Sequence, residues 1–427
     1  MNRRIYALRC GVQHYAWGET GFIPSLLGIG NHTDKPFAEL WMGAHPDLPS
    51  EADVDGRLVS LAVIIDKAPE DILGQDVAQA FEGRLPYLFK VLSAAAPLSI
   101  QVHPSLAAAR EGFARENTAG ISLSDPQRNY HDGNHKPELI AALTDFYALR
   151  GFRPLSKIAD ELAQHADFCD LMSGFRPTPA NLKTLYERFM ALSQEQVDRI
   201  LDPLIERLQK ADSKRPFTRQ EREYWVLTAD REYSQNGHRD RGLFSIYLLN
   251  LVHLKPGQAM YLPAGVLHAY LQGSGMEIMA NSNNVLRGGL TPKHVDVPEL
   301  IANVTFERGE PEIISPVPNG NNRCGFVYRT PTREFELHRL ELDGEHQYAS
   351  PLPHSADMLV VETADEQTDI TIVSGKQSMS LQRGHVLLAP YGVPYTITAS
   401  RPVILYRATV PPPTRERTTR ADYLSWP

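Results

Sequence analysis

The sequence predicts a mainly β protein: two β-barrel domains, the first interrupted by a helical block. Three observations support this. Up to about Arg153, short apolar runs such as "LVSLAVIID" and "YLFKVLSA" sit between Gly, Pro, Asn and Asp clusters, the pattern of strands joined by turns. Between about Leu155 and Asp230 the apolar spacing becomes helical. After "REYSQNGHRDRG" the strand-like runs return and continue to the end. The expected domains are residues 1–153 together with 232–316, a helical domain over 154–231, and a second barrel over 317–427.

Taken in order, the first helix is predicted within "PSLAAAREGFAREN", where Pro104 occupies a first-turn position and the alanines favour continuation. In "NLKTLYERFMALSQEQVDRILDPLIERLQK", Leu182, Leu185, Tyr186 and Phe189 share one face, followed by Val197, Ile200 and Leu201, then Leu204, Ile205 and Leu208. That block holds little catalytic vocabulary. Beyond it, residues 257–268 read "GQAMYLPAGVLH" and residues 384–395 read "GHVLLAPYGVPY". Both run Gly, five residues, Pro, any residue, Gly, two residues, then a ring. The first glycine opens a strand, and Pro-x-Gly forces a reversal that aims the ring from the next strand. The repeat resembles the second sequence motif of the cupins, small jelly-roll barrels. His268 closes the first copy and Tyr395 the second, so only the first barrel is expected to hold a metal. The tail "VPPPTRERTTRADYLSWP" is expected to run extended along the surface.

Composition narrows the function. The 427 residues carry 43 Lys+Arg against 51 Asp+Glu, a net charge of −8, with no basic stripe interleaved with aromatics for nucleic acid. A phosphorylated small molecule needs only a few placed cations and stays compatible. Cys10, Cys169 and Cys324 lie too far apart for a disulfide framework or a cysteine zinc site. With no long apolar run and no signal-like N-terminus, a reducing cytoplasm is the expectation.

A metal in the first barrel must therefore draw on imidazole, carboxylate or amide oxygen. In "LSIQVHPS", strand alternation puts Gln101 and His103 on one face together with Ser99. The loop "YHDGNHKPE", residues 130–138, supplies Glu138, and the repeat supplies His268. Such a shell has one negative ligand and leaves positive charge on a divalent cation, suiting it to polarise a sugar oxygen. By donor type, Mn, Co or Fe fit nearly as well as Zn. His131 and His135 are four apart, but Gly133 and Pro137 oppose a helical two-histidine site. His14, His45, His253 and His294 are expected to be structural or surface residues. Glu277 follows His268 by nine residues across a Gly-containing turn, as if a hairpin returned a second carboxylate to the site. Arg287 precedes two glycines that let the backbone approach a ligand, and with Lys293 it suits a phosphate.

"YHDGNHKPE" and "HAYLQGSGMEIMANSNNVLRGGLTPK", together with "YAWG", "ELWMGAHPDLPS" and "LPYLFKVLSAAAPLSIQVHPS" in the same order, resemble the type I mannose-6-phosphate isomerases, zinc enzymes of the cupin superfamily, over roughly residues 10–300. The resemblance implies interconversion of mannose 6-phosphate and fructose 6-phosphate by C1–C2 proton transfer through an enediol(ate), with one zinc per chain. It places the zinc on Gln101, His103, Glu138 and His268, the set already reached from spacing. It places substrate handling on Lys136, Glu277, Arg287 and Lys293, with Ser99 near the phosphate and Trp17 and Lys90 along the pocket. Within that frame Lys136 is the first choice as proton carrier, Glu277 the competing base, and His135 an aid to ring opening. Two positions depart from the family: Asn283 stands where it usually has Asp, and Gly288 where it has Ala. The first removes a carboxylate able to relay a proton. The competing readings are a non-catalytic metal-containing cupin that binds sugar, and an isomerase of a different or unphosphorylated sugar. The expected partner is the sugar phosphate alone, without nucleic acid or membrane; a monomer is expected, with an oligomer as the alternative.

Overall fold

The computed structural model describes residues 4–320 and 322–412; most of the tail expected to be extended, from residue 413 on, lies outside them. The chain divides into two compact units, one of Met1–Arg9, Pro49–Pro86 and Pro318–Pro427, the other of Cys10–Leu48 and Tyr87–Val317. In the first, Tyr6–Arg9 pairs with Val386–Ala389 on one side and Glu51–Val54 on the other. This pairing is why residues 1–9 and 49–86 group with the C-terminal strands and not with the first barrel, where the sequence boundaries put them. Its strands form a nine-stranded and a four-stranded sheet. The run "LVSLAVIID", read as strand, is half helix: Arg57–Ser60 is extended, but Leu61–Lys67 is helical and buries Leu61, Ile64 and Ile65 at helical spacing.

The second unit is built on a ten-stranded sheet whose hub is the strand His268–Ala280, antiparallel to Gln101 at its start, then to Phe146–Phe152, Tyr87–Ala94 and Glu138–Ala142. The hairpin expected between His268 and Glu277 does not form. Tyr270 faces Ala148 and Gln272 faces Tyr147, so two steps on this strand match one on its neighbour. Gly273 absorbs the kink with φ +123°, where a Cβ would lie 2.6 Å from the Asp145 carbonyl oxygen. Such a bulge shifts the in/out alternation by one residue. His268 and Tyr270 before it and Glu277 after it therefore line the same cleft despite their odd separation.

The helical face read from the sequence packs as expected. Leu182, Leu185, Tyr186, Phe189, Val197, Leu201, Leu204, Ile205 and Leu208 share one buried core with Val102, Leu149 and Leu286 of the sheet and with Ile100 just before it, while Ile200 is half-buried at its edge. Thr178 and Ser193 cap the helices Pro179–Ala191 and Gln194–Lys214. The earlier helix runs Leu106–Thr118 with Ser105 as its cap, accepting from the Ala108 N–H, so Pro104 stands before the cap and not in the first turn. Both copies of the repeat place their two glycines in the left-handed region, Gly257, Gly265, Gly384 and Gly392 at φ 87°, 83°, 82° and 69°. No helix among the described residues is long and apolar enough to cross a membrane.

Candidate active site

Strand pairing assembles the site. Gln101 lies opposite His268 on one side and Arg287 on the other. Lys90 lies opposite Glu277 on one side and Trp41 on the other. Glu138 opens its strand directly after the loop 130–137. The resulting cleft of about 370 Å³ is lined by Gln101, Lys136, Glu138, His268, Glu277 and Lys90, along with Glu39, Tyr270, Leu92, Leu98 and Ala269.

At one end, donor atoms of His103, Glu138 and His268 lie within 4.8 Å of one another. His103 Nδ1 donates to the Asn284 carbonyl at 2.8 Å and His268 Nδ1 to the Val266 carbonyl at 2.9 Å. Those bonds leave each Nε2 as a lone-pair acceptor, turned toward Glu138 Oε1 at 3.1 Å and Oε2 at 3.5 Å. Burial pushes His103 down to about 4 despite the pull of Glu138, so its ring is neutral at neutral pH. Burial alone would raise the Glu138 carboxyl, but Lys136 and His103 outweigh it and hold it well below the usual carboxylate range. His103 Nε2 is buried and without a hydrogen-bond partner. Acceptors this close, converging on one buried point, match the donor chemistry of a divalent cation. Gln101 Nε2 donates to Ser99 Oγ at 3.2 Å, which leaves its carbonyl oxygen as the ligating end. Ser99 thus orients a candidate ligand.

The other end is a buried row of alternating charge. Lys90 Nζ lies 3.0 Å from Glu277 Oε2 and 3.5 Å from Glu39 Oε1, and over the Trp41 ring at 5.2 Å. Trp41 Nε1 donates to Glu39 Oε2 at 2.6 Å. Burial would lower Lys90, but Glu277 and Glu39 outweigh it and raise it. Burial raises the Glu277 carboxyl; Lys90 opposes this, and Glu138 and Glu39 add to it. Tyr270 donates to Glu138 Oε2 at 3.3 Å and joins the two ends. Lys136 Nζ stands 3.3 Å from Glu138 Oε1. Sequence reasoning missed Glu39, Trp41 and Tyr270. Strand parity from His268 would have found Tyr270, whereas Glu39 depends on a pairing that the sequence does not show.

The loop 130–138 is stitched to residues 281–284. Asp132 accepts from Ser282 Oγ, the Asn283 N–H, the Asn134 N–H and Asn284 Nδ2. Asn284 Oδ1 in turn accepts the His131 N–H at 2.7 Å, and its Nδ2 donates to the carbonyls of Asp132 and Asn134. Asn283 is exposed and donates to Asp47 Oδ2 at 3.1 Å. His45 is buried edge-on against Trp41 and accepts the Asp47 N–H, a structural role. Helix Leu106–Thr118 presses on this loop at Gly112, where a Cβ would meet the Tyr130 ring at 2.3 Å.

The remaining candidates, Arg287, Lys293, Trp17 and His135, are not among the residues that line the cleft. Arg287 and Lys293 have no carboxylate partner among the described residues; burial lowers both, and Arg287 lowers Lys293 further. Trp17 packs against the apolar cluster holding Leu92, Leu98 and Tyr270, three residues of the cleft lining. His135 adjoins Lys136, with its N–H donating to Asn134 Oδ1. The glycines after Arg287 serve a contact other than the one expected. Gly289 packs on Gly242 of the chain itself, and Gly288 sits where a Cβ would be 3.1 Å from the Tyr186 hydroxyl oxygen.

Residues 5–155 match the family model described as phosphomannose isomerase type I, catalytic domain. The mannose-6-phosphate isomerase of Salmonella typhimurium is 43% identical over 79% of this chain and 85% of its own. That of Escherichia coli is 40% identical over 87% of this chain and 91% of its own. A zinc-bound crystal structure of mannose 6-phosphate isomerase superposes with a TM-score of 0.83 at 37% identity, covering 95% of this chain and 99% of the other.

Proposed function

The chain belongs to the type I phosphomannose isomerases, and from that premise we propose how its cleft carries out the reaction. It is a metal-dependent mannose-6-phosphate isomerase with zinc as its cofactor and a mainly β fold of cupin type beside its helices. A sugar-binding module without catalysis is not favoured, since the relatives named as isomerases match over most of their length.

In our reading Gln101, His103, Glu138 and His268 hold one zinc, and the carrying observation is the 3.1 Å approach of His103 Nε2 to Glu138 Oε1, two acceptors with Nδ1 already donating elsewhere. Bound there, zinc supplies electrophilic polarisation of the sugar oxygens. Arg287 and Lys293, neither with a carboxylate partner among the described residues, take the phosphate. Their spacing from the metal end then fixes which sugar carbons face Lys136 and Glu277. Moving the C2 proton to C1, which turns mannose 6-phosphate into fructose 6-phosphate, requires a base near both carbons. We assign that transfer to Lys136, and to Glu277 the protons of the sugar hydroxyls, for which its raised carboxyl suits it. His135 assists ring opening from beside Lys136, and Lys90 keeps Glu277 oriented. On the same reading the chain works as a cytoplasmic monomer on a sugar phosphate, with neither nucleic acid nor membrane as partner; its net charge of −8 argues against a polyanionic partner.

Solvent-proton exchange at C2 of mannose 6-phosphate tests the roles. Lys136→Ala should abolish exchange and Glu277→Gln should slow it. Retained exchange in Lys136→Ala with loss in Glu277→Gln would exchange the two assignments. Chelation should remove turnover and added zinc restore it.

A further inference from the structure

On the reading that Arg287 and Lys293 take the phosphate, we infer that Asp240 is a positioning residue that fixes this clamp and makes the helical block part of phosphate recognition. Between the two cations the chain must pass through Gly289 at φ +115° and Leu290 at φ +52°, a left-handed conformation that a leucine seldom adopts. Asp240 holds it there. Its Oδ1 accepts the N–H of Leu290 at 2.7 Å and of Gly242 at 2.7 Å, and its Oδ2 accepts the N–H of Thr291 at 3.2 Å. The two backbones touch with no side chain between them. A Cβ on Gly289 would lie 2.4 Å from Gly242 Cα, and one on Gly242 would lie 2.5 Å from the Leu290 nitrogen.

The neighbours of Asp240 tie the same segment to the helices. Arg239 Nη1 bonds both oxygens of Asp230 at 2.9 and 2.8 Å, in the helix Arg222–Tyr233, and its Nε bonds Asp202 at 2.8 Å, in the helix Gln194–Lys214. Arg241 Nη1 donates to the Met190 carbonyl, in the helix Pro179–Ala191. Three helices thus grip residues 239–241, and Asp240 passes that rigidity to the loop carrying both phosphate cations. Charge-assisted bonds from a carboxylate to backbone N–H groups offset the cost of the left-handed leucine. Without them the loop relaxes, and Arg287 and Lys293 no longer meet one phosphate together.

The experiment compares Asp240→Asn, Gly242→Ala and Arg287→Met with wild type, measuring kcat and KM for mannose 6-phosphate, inhibition by inorganic phosphate, zinc content and Tm. Asp240→Asn keeps the shape but turns an N–H donor toward the backbone N–H groups. It should raise KM and the inorganic phosphate inhibition constant together, by about tenfold, with kcat within about twofold and zinc content unchanged. Gly242→Ala pushes the same backbones apart and should give the same split, which keeps the test open if the asparagine variant folds poorly. If phosphate inhibition stays at the wild-type value in either folded variant, or if kcat falls as much as KM rises, Asp240 has no such role. Arg287→Met separates the two ideas: raised phosphate inhibition constants there, but not in Asp240→Asn, overturn only the role of Asp240. Unchanged constants in Arg287→Met overturn the phosphate clamp itself.

Discussion

Lys90 and Glu277 form a buried ion pair at 3.0 Å across adjacent strands, and Glu39 approaches the same ammonium at 3.5 Å from the other side. One cation thus serves two carboxylates in a water-poor cleft, where removing a partner leaves an uncompensated charge.

The pair predicts opposite shifts of pH dependence. Lys90 lowers the Glu277 carboxyl and Glu39 raises it. If ionised Glu277 is needed for turnover, Lys90→Met should move the acid limb of kcat/KM to higher pH and Glu39→Gln should move it to lower pH. Lys90→Met should also cut the rate near neutral pH on the order of a hundredfold, the scale of a displaced acid–base group. PH–rate profiles of the two variants moving the same way would rule out this coupling.

Asn284 is the second point of leverage. Its carbonyl fixes the His103 ring and its side chain holds four backbone groups of the loop leading to Glu138. Asn284→Asp keeps the volume but loses both donors and sets a carboxylate against Asp132, which already accepts four bonds. The loss should be about 2–4 kcal/mol of stability, with zinc affinity lowered tenfold or more. Thermal unfolding and metal titration measure the two, and wild-type zinc affinity would show the loop to be held by other means.

Asn283 gives a sharper test because its side chain is exposed and bonds a single carboxylate. Its amide donates to Asp47 at 3.1 Å, so Asn283→Asp would set two carboxylates face to face. The single variant should lose stability, by about 1 kcal/mol at this exposed site, and Asp47→Asn in the same chain should recover it. A double-mutant cycle of Tm values checks this; additive losses would mean the two residues do not communicate.

What could be read from the sequence was what is local. Gln101 and His103 show their common face by being two apart, and Glu138 and His268 sit in short motifs with their own turn residues. The helical faces were legible for the same reason. The rest depends on partners that only folding brings together. The bulge at Tyr270 that returns Glu277 to the cleft is a property of register with Ala148 and Tyr147. Glu39 meets Lys90 only because Glu39–Met42 pairs with Tyr87–Ala94. Asp240 bonds Leu290, fifty residues away in sequence. In "LVSLAVIID" period and composition favoured a strand until the spacing of Leu61, Ile64 and Ile65 decided for a helix.

The last prediction concerns the unit that carries Tyr395 in place of a histidine. There the Tyr395 hydroxyl donates to Asp357 Oδ2 at 2.9 Å, and Arg407 supplies a cation 3.7 Å from the same oxygen. Nearby, His338 is buried, and burial, with Arg407 adding to it, pushes its ring down to about 4 despite Glu336 at 2.6 Å. Unfolding returns this imidazole to its ordinary value near 6.5. Between the two values the unfolded chain binds a proton that the folded chain refuses, so stability rises with pH there. The contribution of His338 is thus complete above about pH 6.5 and lost as pH falls toward 4, at about 1.4 kcal/mol per unit and roughly 3 kcal/mol in all. Glu161, held at about 2 by His165 and Arg153 against burial, loses its contribution only below the ordinary carboxylate range, so the two windows separate. His338→Gln should lower the slope of unfolding free energy between pH 4 and 6.5 by about 1.4 kcal/mol per pH unit, leaving the share of His103, also held at about 4, and the steeper fall below pH 4 in place. Denaturant unfolding of both proteins across that range decides it, and equal slopes would place the proton uptake elsewhere.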